Sequence, residues 1–133
     1  MYLHAVKALR NALNGSSELN TGVDGQWYLD LALAAFTYPY GVISLSAGGM
    51  DNSAGMRRGD LRFLVKVIGT KQTRTHELAE LVRQTLHEGT LTAEDPWYIW
   101  RCQQISSVHM MEIDAQEAYW HAGGIYRIRM SGS

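Results

Sequence analysis

The feature that most constrains the fold is a change of hydrophobic period part-way along the chain. In DLRFLVKVIG, residues 60–69, every second residue is apolar, as expected of a strand that buries one face. The residues of that face are Leu61, Phe63, Val65 and Val67. In TRTHELAELVRQTLHEG, residues 73–89, the apolar residues recur every three or four positions, which predicts an amphipathic helix. A strand that leads into a helix in this way requires a fold that contains both elements.

The ends of the helices can be predicted from the flanking residues. The hydroxyl of Thr73 or Thr75 can cap the first turn of this helix, and Gly89 is expected to end it in a left-handed backbone. An N-terminal helix is predicted in the same way from apolar residues at three- and four-residue steps, with Gly15 as its end. The apolar residues of that helix are Leu3, Val6, Leu9 and Leu13.

Three more strands are predicted from short apolar and aromatic runs. Pro39 suits the entry of a strand over Tyr40–Ser46, because proline has no N–H to donate to a sheet. The other two runs are Trp97–Ile105 and Tyr119–Met130, which lie after the central helix. Together with residues 60–69 they provide four strands.

Two segments lack a clear period, and the rest determine the predicted fold class. Residues 47–59 are Gly-rich and polar, and we expect a mobile hairpin tip there, while residues 26–36 fit either a helix or a strand. The order of helix, two strands, helix and two strands predicts an α+β fold, a mainly antiparallel sheet with two helices packed on one face. The other face then needs water or a partner. The chain of 133 residues fits a single domain over residues 1–133.

Composition and charge argue against several classes of function. Twelve basic and thirteen acidic residues give a net charge of −1, which disfavours a dedicated nucleic-acid-binding protein. The single cysteine, Cys102, cannot form an internal disulfide and is predicted to be a small buried thiol. No secretory signal or membrane-spanning run is recognised, so we expect a protein that is made and remains in a cytoplasm, or is assembled there.

The residues best suited to catalysis are His109, Glu112 and His121, with Asp114 close by in the sequence. Such a cluster could hold a metal ion, so a small metal-dependent enzyme is one hypothesis. The spacing does not match a motif such as H-E-x-x-H, and in a strand His109 and Glu112 would lie on opposite faces. No G-x-S-x-G elbow or phosphate-binding loop occurs either. The sequence therefore predicts no catalytic residue, no metal site and no cofactor.

Aromatic and arginine residues instead indicate a surface for binding. The chain has four Trp and seven Tyr but two Phe, and Trp and Tyr are favoured at protein interfaces. Arg57 and Arg58 form one basic pair, and Arg127 and Arg129 form another within the last strand. These arginines are interpreted as a solvated sheet face, as a protein contact, or as a surface that binds nucleic acid.

Four segments, taken in order after the N-terminal helix, resemble the tail terminator proteins of long-tailed phages and prophages. They are YPYGVIS, LRFLVKVIG, THELAELVRQTL and YWHAGGIYRIRM. The family is also called tail completion or tail-to-head joining. The resemblance implies a non-enzymatic α+β protein that caps the head-proximal end of the tail tube, usually as a six-membered ring. It also implies that the ring stops tube polymerisation and docks to the head connector, without a cofactor. Another neck or head-completion ring protein of similar size remains an alternative.

This resemblance predicts partners and a location. The partners are further copies of the chain, the tail tube protein and the head–tail connector protein. DNA is expected only to pass through the lumen, and no membrane is involved. The location is the head-proximal end of the virion tail, after assembly in the host cytoplasm.

The predicted interface combines a sheet patch with the hairpin tip. The sheet that carries Trp97 and Trp120 is one candidate patch, and the tip at Gly48–Gly59 is expected to contact the tube. The full set is Met50, Asp51, Arg57, Arg58, Trp97, Trp100, Trp120, His121, Arg127 and Arg129. Gly123 and Gly124 are expected to form a bulge or tight bend at which the last strand starts.

Overall fold

The computed structural model describes residues 2–30, 36–53 and 56–132, with side chains in these ranges except at residues 49–53 and 56. The helices are α1 (Tyr2–Asn14), α2 (Ser17–Gly22) and α3 (Gln72–Leu86). The strands are β1 (Trp27–Leu29), β2 (Tyr40–Ser53), β3 (Met56–Gly69), β4 (Trp97–Asp114) and β5 (Glu117–Gly132). The predicted α+β class is confirmed, and the short helix α2 is an addition to the two predicted helices.

The five strands form one sheet in the order β1-β2-β3-β5-β4. β1 pairs with β2 in parallel, and every other pair is antiparallel. The sheet therefore consists of two long hairpins, β2–β3 and β4–β5, that meet along β3 and β5. Both predicted C-terminal strands exist, but β4 continues nine residues past the predicted end at Ile105, to Asp114.

The core lies between one face of this sheet and the helices α1 and α3. All four apolar residues predicted on one face of β3 are buried in it. They pack with Leu9 of α1, Leu78 of α3 and Tyr126 of β5. Leu3 is the exception among the predicted core residues, because its side chain is 69% exposed. Cys102 is fully buried as predicted, and burial raises the pKa of its thiol to about 12, with a smaller contribution from the Glu88 carboxylate.

The predicted caps of α3 are wrong at both ends. The N-cap of α3 is Lys71, which makes no side-chain cap. Thr75 cannot cap the helix because it is buried against Gly69 and its hydroxyl donates to the Lys71 carbonyl at 2.7 Å. At the other end Glu88, not Gly89, takes the left-handed backbone, with φ of 57°. Within the described ranges no helix is both long and apolar enough to cross a membrane.

The predicted loop over residues 47–59 is instead strand at residues 47–53 and 56–59, and residues 54–55 lie outside the described residues. β2 extends to Ser53, and its pairing with β3 is described out to Ser53 and Met56. A register shift between Leu45 and Ala47 interrupts the alternation of side chains in β2. β5 pairs with β3 on its other side and fixes the position of β3. The free backbone groups of β3 can therefore form hydrogen bonds with β2 even where β2 is rich in glycine.

Gly123 and Gly124 do not mark the start of the last strand. β5 begins at Glu117, and both glycines pair with β3 on one side and β4 on the other. A Cβ added to Gly123 would lie 2.1 Å from the carbonyl oxygen of Val65, so the glycine permits close approach of the strands. The neighbouring irregularity is in β4, between Gln104 and Ser106.

The ambiguous segment 26–36 contains a short strand. Trp27 of β1 lies over Gly41 of β2, where an added Cβ would be 2.1 Å from the indole ring. Arg10 of α1 donates to the Trp27 carbonyl at 3.1 Å and ties the helix to this edge of the sheet. The prediction for residues 31–35 lies outside the described residues.

Candidate assembly interface

The sheet face that points away from α1 and α3 is the first part of the candidate surface. Side chains alternate along a strand, so the residues between the core residues of β3 and β5 belong to this uncovered face. On β3 they are Asp60, Arg62, Leu64, Lys66 and Ile68, and on β5 they are Tyr119, His121, Ile125, Arg127 and Arg129. The face is apolar and aromatic at one end and rich in arginine at the other.

The apolar end contains a second, smaller hydrophobic cluster. Its buried members are Tyr40, Val42 and Ile68, and Tyr28 and Phe36 pack against them. Burial raises the pKa of the Tyr40 hydroxyl, and the neighbouring Tyr38, Glu112 and Tyr28 add to the effect. This cluster closes part of the uncovered face with residues of the chain itself.

The aromatic contacts continue onto the last strand. The rings of Tyr38 and Tyr119 are 5.2 Å apart between centroids. The hydroxyl of Tyr119 donates to Glu117 at 2.8 Å, and this hydrogen bond raises the pKa of Tyr119 to about 12. Tyr119 therefore links the cluster to Glu117, the first residue of β5.

His121 lies beside this cluster and bonds across to β4. Its Nε2 is 2.7 Å from Glu112 Oε1, and its side chain is 8% exposed whereas that of Glu112 is 53% exposed. The other ring nitrogen, Nδ1, is buried without a hydrogen-bond partner in the described part of the chain. The arrangement orients the imidazole and leaves the carboxylate accessible from solvent.

Arginines dominate the opposite end of the uncovered face. Arg127 donates to Asp60 through Nε at 2.8 Å, and this hydrogen bond holds the pKa of Asp60 below its ordinary value. Arg58 and Arg62 are exposed on β3. The guanidinium carbon of Arg129 lies 5.6 Å from the centre of the exposed Trp100 ring, a cation–π contact.

A bulge in β4 separates two neighbouring side chains at this end. The register with β5 shifts between Ile99 and Arg101, so the strand has one extra residue, Trp100. Trp100 thereby meets Arg129, while Arg101 pairs with Glu88 at 2.9 Å, just after α3. The bulge presents an aromatic ring beside the arginines.

The far end of the β4–β5 hairpin is exposed and apolar on both faces. β3 ends at Gly69 opposite Trp120, so residues 112–119 form a ribbon of two strands. Ile113 is exposed in this ribbon, and Met110 and Met111 are exposed on opposite faces of β4 just before it. A two-stranded ribbon is marginally stable in water, and the exposed apolar residues in and beside it are suited to packing against another molecule.

The structure does not bring together the three residues of the metal-enzyme hypothesis. Glu112 is bonded to His121 on the uncovered face. His109 is on the opposite face, as predicted for a strand, and its ring lies 5.0 Å from that of His76 of α3. Among the described residues no group of three or more His, Cys, Asp or Glu is arranged to hold a metal ion.

The other residues of the predicted interface lie in different environments. Met50 and Asp51 are in β2 and pair by backbone register with Gly59 and Arg58. Trp97 is buried in the core near α1, with its ring 6.1 Å from that of His4, so it offers little surface to a partner. Trp120 is half-buried on the helix side of β5.

The exposed apolar residues in the outer half of β4 were not among the predicted interface residues. These are Ile105, Met110, Met111 and Ile113. The available signal is weak, because apolar residues occur at both odd and even positions of this segment and show no strand period. A run without a polar face can indicate a strand that is buried on both sides by a partner.

A small α+β fold with this extended apolar and charged surface is suited to packing against other chains. The family model described as "Tail completion protein gp17" matches residues 7–130. The chain therefore belongs to the tail completion protein gp17 family and is a structural protein of a phage tail, a component of the virion. This match confirms the family resemblance predicted from the sequence.

A solved structure has the same fold over its full length. A chain of the structure titled "Virion of native gene transfer agent (GTA) particle" superposes with a TM-score of 0.75 at 14% sequence identity. The match covers 99% of this chain and 100% of that chain. Comparison with proteins of curated function gave no match.

Proposed function

We propose that this chain closes the head-proximal end of the phage tail tube as a ring of six copies. The ring stops addition of tube subunits and offers its outer surface to the head connector. Its role is structural and not catalytic, and DNA passes through its lumen. Membership of the tail completion family supports this proposal.

The observation that carries the proposal is the concentration of exposed apolar residues on β4. Six of the nine large apolar side chains that are exposed in the described residues belong to this strand. They are Tyr98, Trp100, Ile105, Met110, Met111 and Ile113. Scattered apolar residues are ordinary on a monomer, but a concentration along one strand is typical of a protein interface.

The position of β4 in the sheet strengthens this argument. β4 is an edge strand of the sheet. The segment after α3 covers the middle of its free edge: the Glu88 amide donates to the Cys102 carbonyl, and the Gln104 amide donates to His87 Nδ1. Beyond Gln104 no further strand lies beside it in the described part of the chain. A long, apolar edge is a site at which another chain adds. A ring assembled from such a strand needs a second, different patch on each copy.

The test measures both ring formation and arrest of tube growth. Purified protein is examined by light scattering and negative-stain imaging, and is then added to tail-tube subunits during polymerisation. We expect a closed ring, in solution or on the tube end, and tubes that stop growing after addition. Binding to the connector is measured separately with the tube-bound ring.

Two variants with matched exposure show whether β4 is responsible. Ile113 and Leu3 are each 69% exposed, but Ile113 is on β4 and Leu3 is on α1. Ile113→Lys should abolish tube arrest, since it places a charge in the apolar contact, and Leu3→Lys should leave arrest unchanged. Tubes that elongate normally with wild-type protein would contradict the proposal. Binding to the connector without binding to the tube would favour a neck or head-completion ring protein instead.

A further inference from the structure

The end of the β4–β5 hairpin combines apolar exposure with acidic charge. We define the acidic end as residues 105–120, which contain Glu112, Asp114 and Glu117 but neither lysine nor arginine. All three carboxylate residues are exposed. Met110, Met111 and Ile113 are exposed between or beside them. This end therefore requires a partner surface that is both apolar and positively charged.

The opposite end of the same sheet has this complementary composition. We define the basic end by the arginines of β3 and the end of β5, together with two exposed aromatic residues of β4. The arginines are Arg57, Arg58, Arg62, Arg127 and Arg129, and the aromatic residues are Tyr98 and Trp100. The five arginines exceed the two aspartates of this end, Asp51 and Asp60.

The two ends are too far apart to meet within one copy. Tyr119 pairs with Glu112 at the acidic end, and Ser131 pairs with Arg58 and Tyr98 at the basic end. At ~3.3 Å per residue, the stretch of β5 from Tyr119 to Ser131 spans roughly 40 Å. β5 is hydrogen-bonded on both sides along most of this length, so the sheet cannot fold back on itself.

We infer that the acidic end of one copy binds the basic end of the next copy, head to tail. The occupant is a second copy of this chain because both charge and apolar exposure match between the two ends. Ion pairs across the contact orient the copies, and burial of the methionine, isoleucine and aromatic side chains provides affinity. One such contact repeated around an axis generates a closed ring when the rotation between neighbouring copies closes on itself, as the proposed ring requires. The inference rests on the proposed ring and identifies its subunit interface.

A charge-swap experiment tests this contact directly. One variant carries Asp114→Arg and Glu117→Arg, and the second carries Arg58→Glu and Arg62→Glu. Glu112 and Arg127 are left unchanged because they bond to His121 and Asp60 within the sheet, whereas Glu117 accepts only from the Tyr119 hydroxyl at the surface, where water can replace it. Each variant alone places like charges together and should self-associate about tenfold more weakly than wild type, or worse. An equimolar mixture should recover assembly, with the two variants alternating.

The control variant changes the same number of charges at other sites. Glu18→Arg with Glu77→Arg alters α2 and α3, outside both ends, and should self-associate like wild type. Thermal unfolding of each variant verifies that the fold is retained. Equal loss of assembly in the control, or a mixture no better than its components, would overturn the inference.

Cross-linking extends the test to a ring that closes only weakly in solution. Ala118→Cys and Ser131→Cys place one thiol at each end, and the native Cys102 is buried. A bis-maleimide should join the two proteins when they are mixed at millimolar concentration, and neither protein alone should form the same dimer. No mixed dimer, or cross-linking to added tube subunits instead, overturns the inference.

The same variants separate this inference from the proposed function. If wild-type protein arrests tube growth but the charge variants have no effect and no mixed dimer forms, the proposed function holds and this contact does not exist. If mixing the two variants recovers assembly but wild-type protein does not arrest tube growth, the contact exists and the proposed function is wrong.

Discussion

Gly123 lies where β5 approaches β3 too closely for any side chain. A Cβ at this position would be 2.1 Å from the Val65 carbonyl oxygen and 2.6 Å from the Lys66 Cα, both of them backbone atoms of the neighbouring strand. We expect Gly123→Ala to lower the free energy of unfolding by about 2 kcal/mol or more, because the strands must separate. Urea denaturation at equilibrium measures the change.

Gly15→Ala is the control for this substitution. The nearest atoms to an added Cβ at Gly15 are the carbonyl oxygens of Ala12 and Asn11, both at 3.3 Å. This contact needs a shift of a few tenths of an ångström, so the change should stay within about 1 kcal/mol. Equal losses in the two variants would mean that the space between β3 and β5 is not the cause.

The Asp60–Arg127 ion pair makes part of the stability depend on pH. The pKa of Asp60 is lowered from its ordinary value of 3.8, first by the Arg127 hydrogen bond. The folded state therefore favours the carboxylate, and this contribution is present above the ordinary pKa and is lost as pH falls through the folded pKa. Asp60→Asn should cost about 0.5 kcal/mol at neutral pH, since the carboxylate is half-exposed. The difference from wild type should vanish in acid, and a constant difference in urea unfolding at both pH values would contradict this explanation.

Among the elements, the end of the β4–β5 hairpin can be removed without touching the main sheet. Residues 112–119 extend beyond β3, and an Asn-Gly turn in place of residues 113–118 can join Glu112 to Tyr119, which are paired, so that their contacts with His121 and Tyr38 are kept. We expect a folded protein whose free energy of unfolding falls by no more than about 2 kcal/mol, because two-stranded ribbons contribute little. The shortened protein should fail to arrest tube growth. Normal arrest with this variant would exclude the hairpin end from assembly.

The elements predicted correctly are those with a one-sided burial pattern. The alternation in β3 and the helical period of α3 both reflect a face that packs on the core, and each element lies where it was predicted. The second half of β2 was missed because its glycines carry no such pattern, and its structure comes from pairing with β3. Thr75 was predicted as a cap because sequence does not reveal that it is buried.

The candidate interface was predicted less completely than the fold. Arg57, Arg58 and Trp100 were predicted as interface residues; all three are exposed, and their role in an interface stays a prediction. Trp97 was grouped with them because of its residue type, but the register of β4 turns it into the core. Met110 and Ile113 were missed because their exposure depends on the length of β4 beyond the helices, which local sequence does not encode.

At the scale of the whole molecule, a net charge of −1 conceals a separation of charge along the sheet. Because acidic and basic groups lie at opposite ends, association head to tail should be favoured by electrostatics and sensitive to salt. The Debye length falls from about 10 Å at 0.1 M salt to about 3 Å at 1 M, which screens exposed pairs across the contact. Apolar burial is not screened, so association should weaken by about tenfold without disappearing.

Sedimentation of the wild-type protein across this range of salt measures the effect, with the Asp114→Arg, Glu117→Arg variant beside it. The variant has like charges at the contact, so salt screens repulsion and should strengthen its association while it weakens that of wild type. If association strengthens with salt in the variant and weakens with salt in wild type, the charges at positions 114 and 117 face charges of the basic end in the assembly. Parallel slopes would mean that salt does not act through these particular charges, and that the two ends of the sheet do not meet.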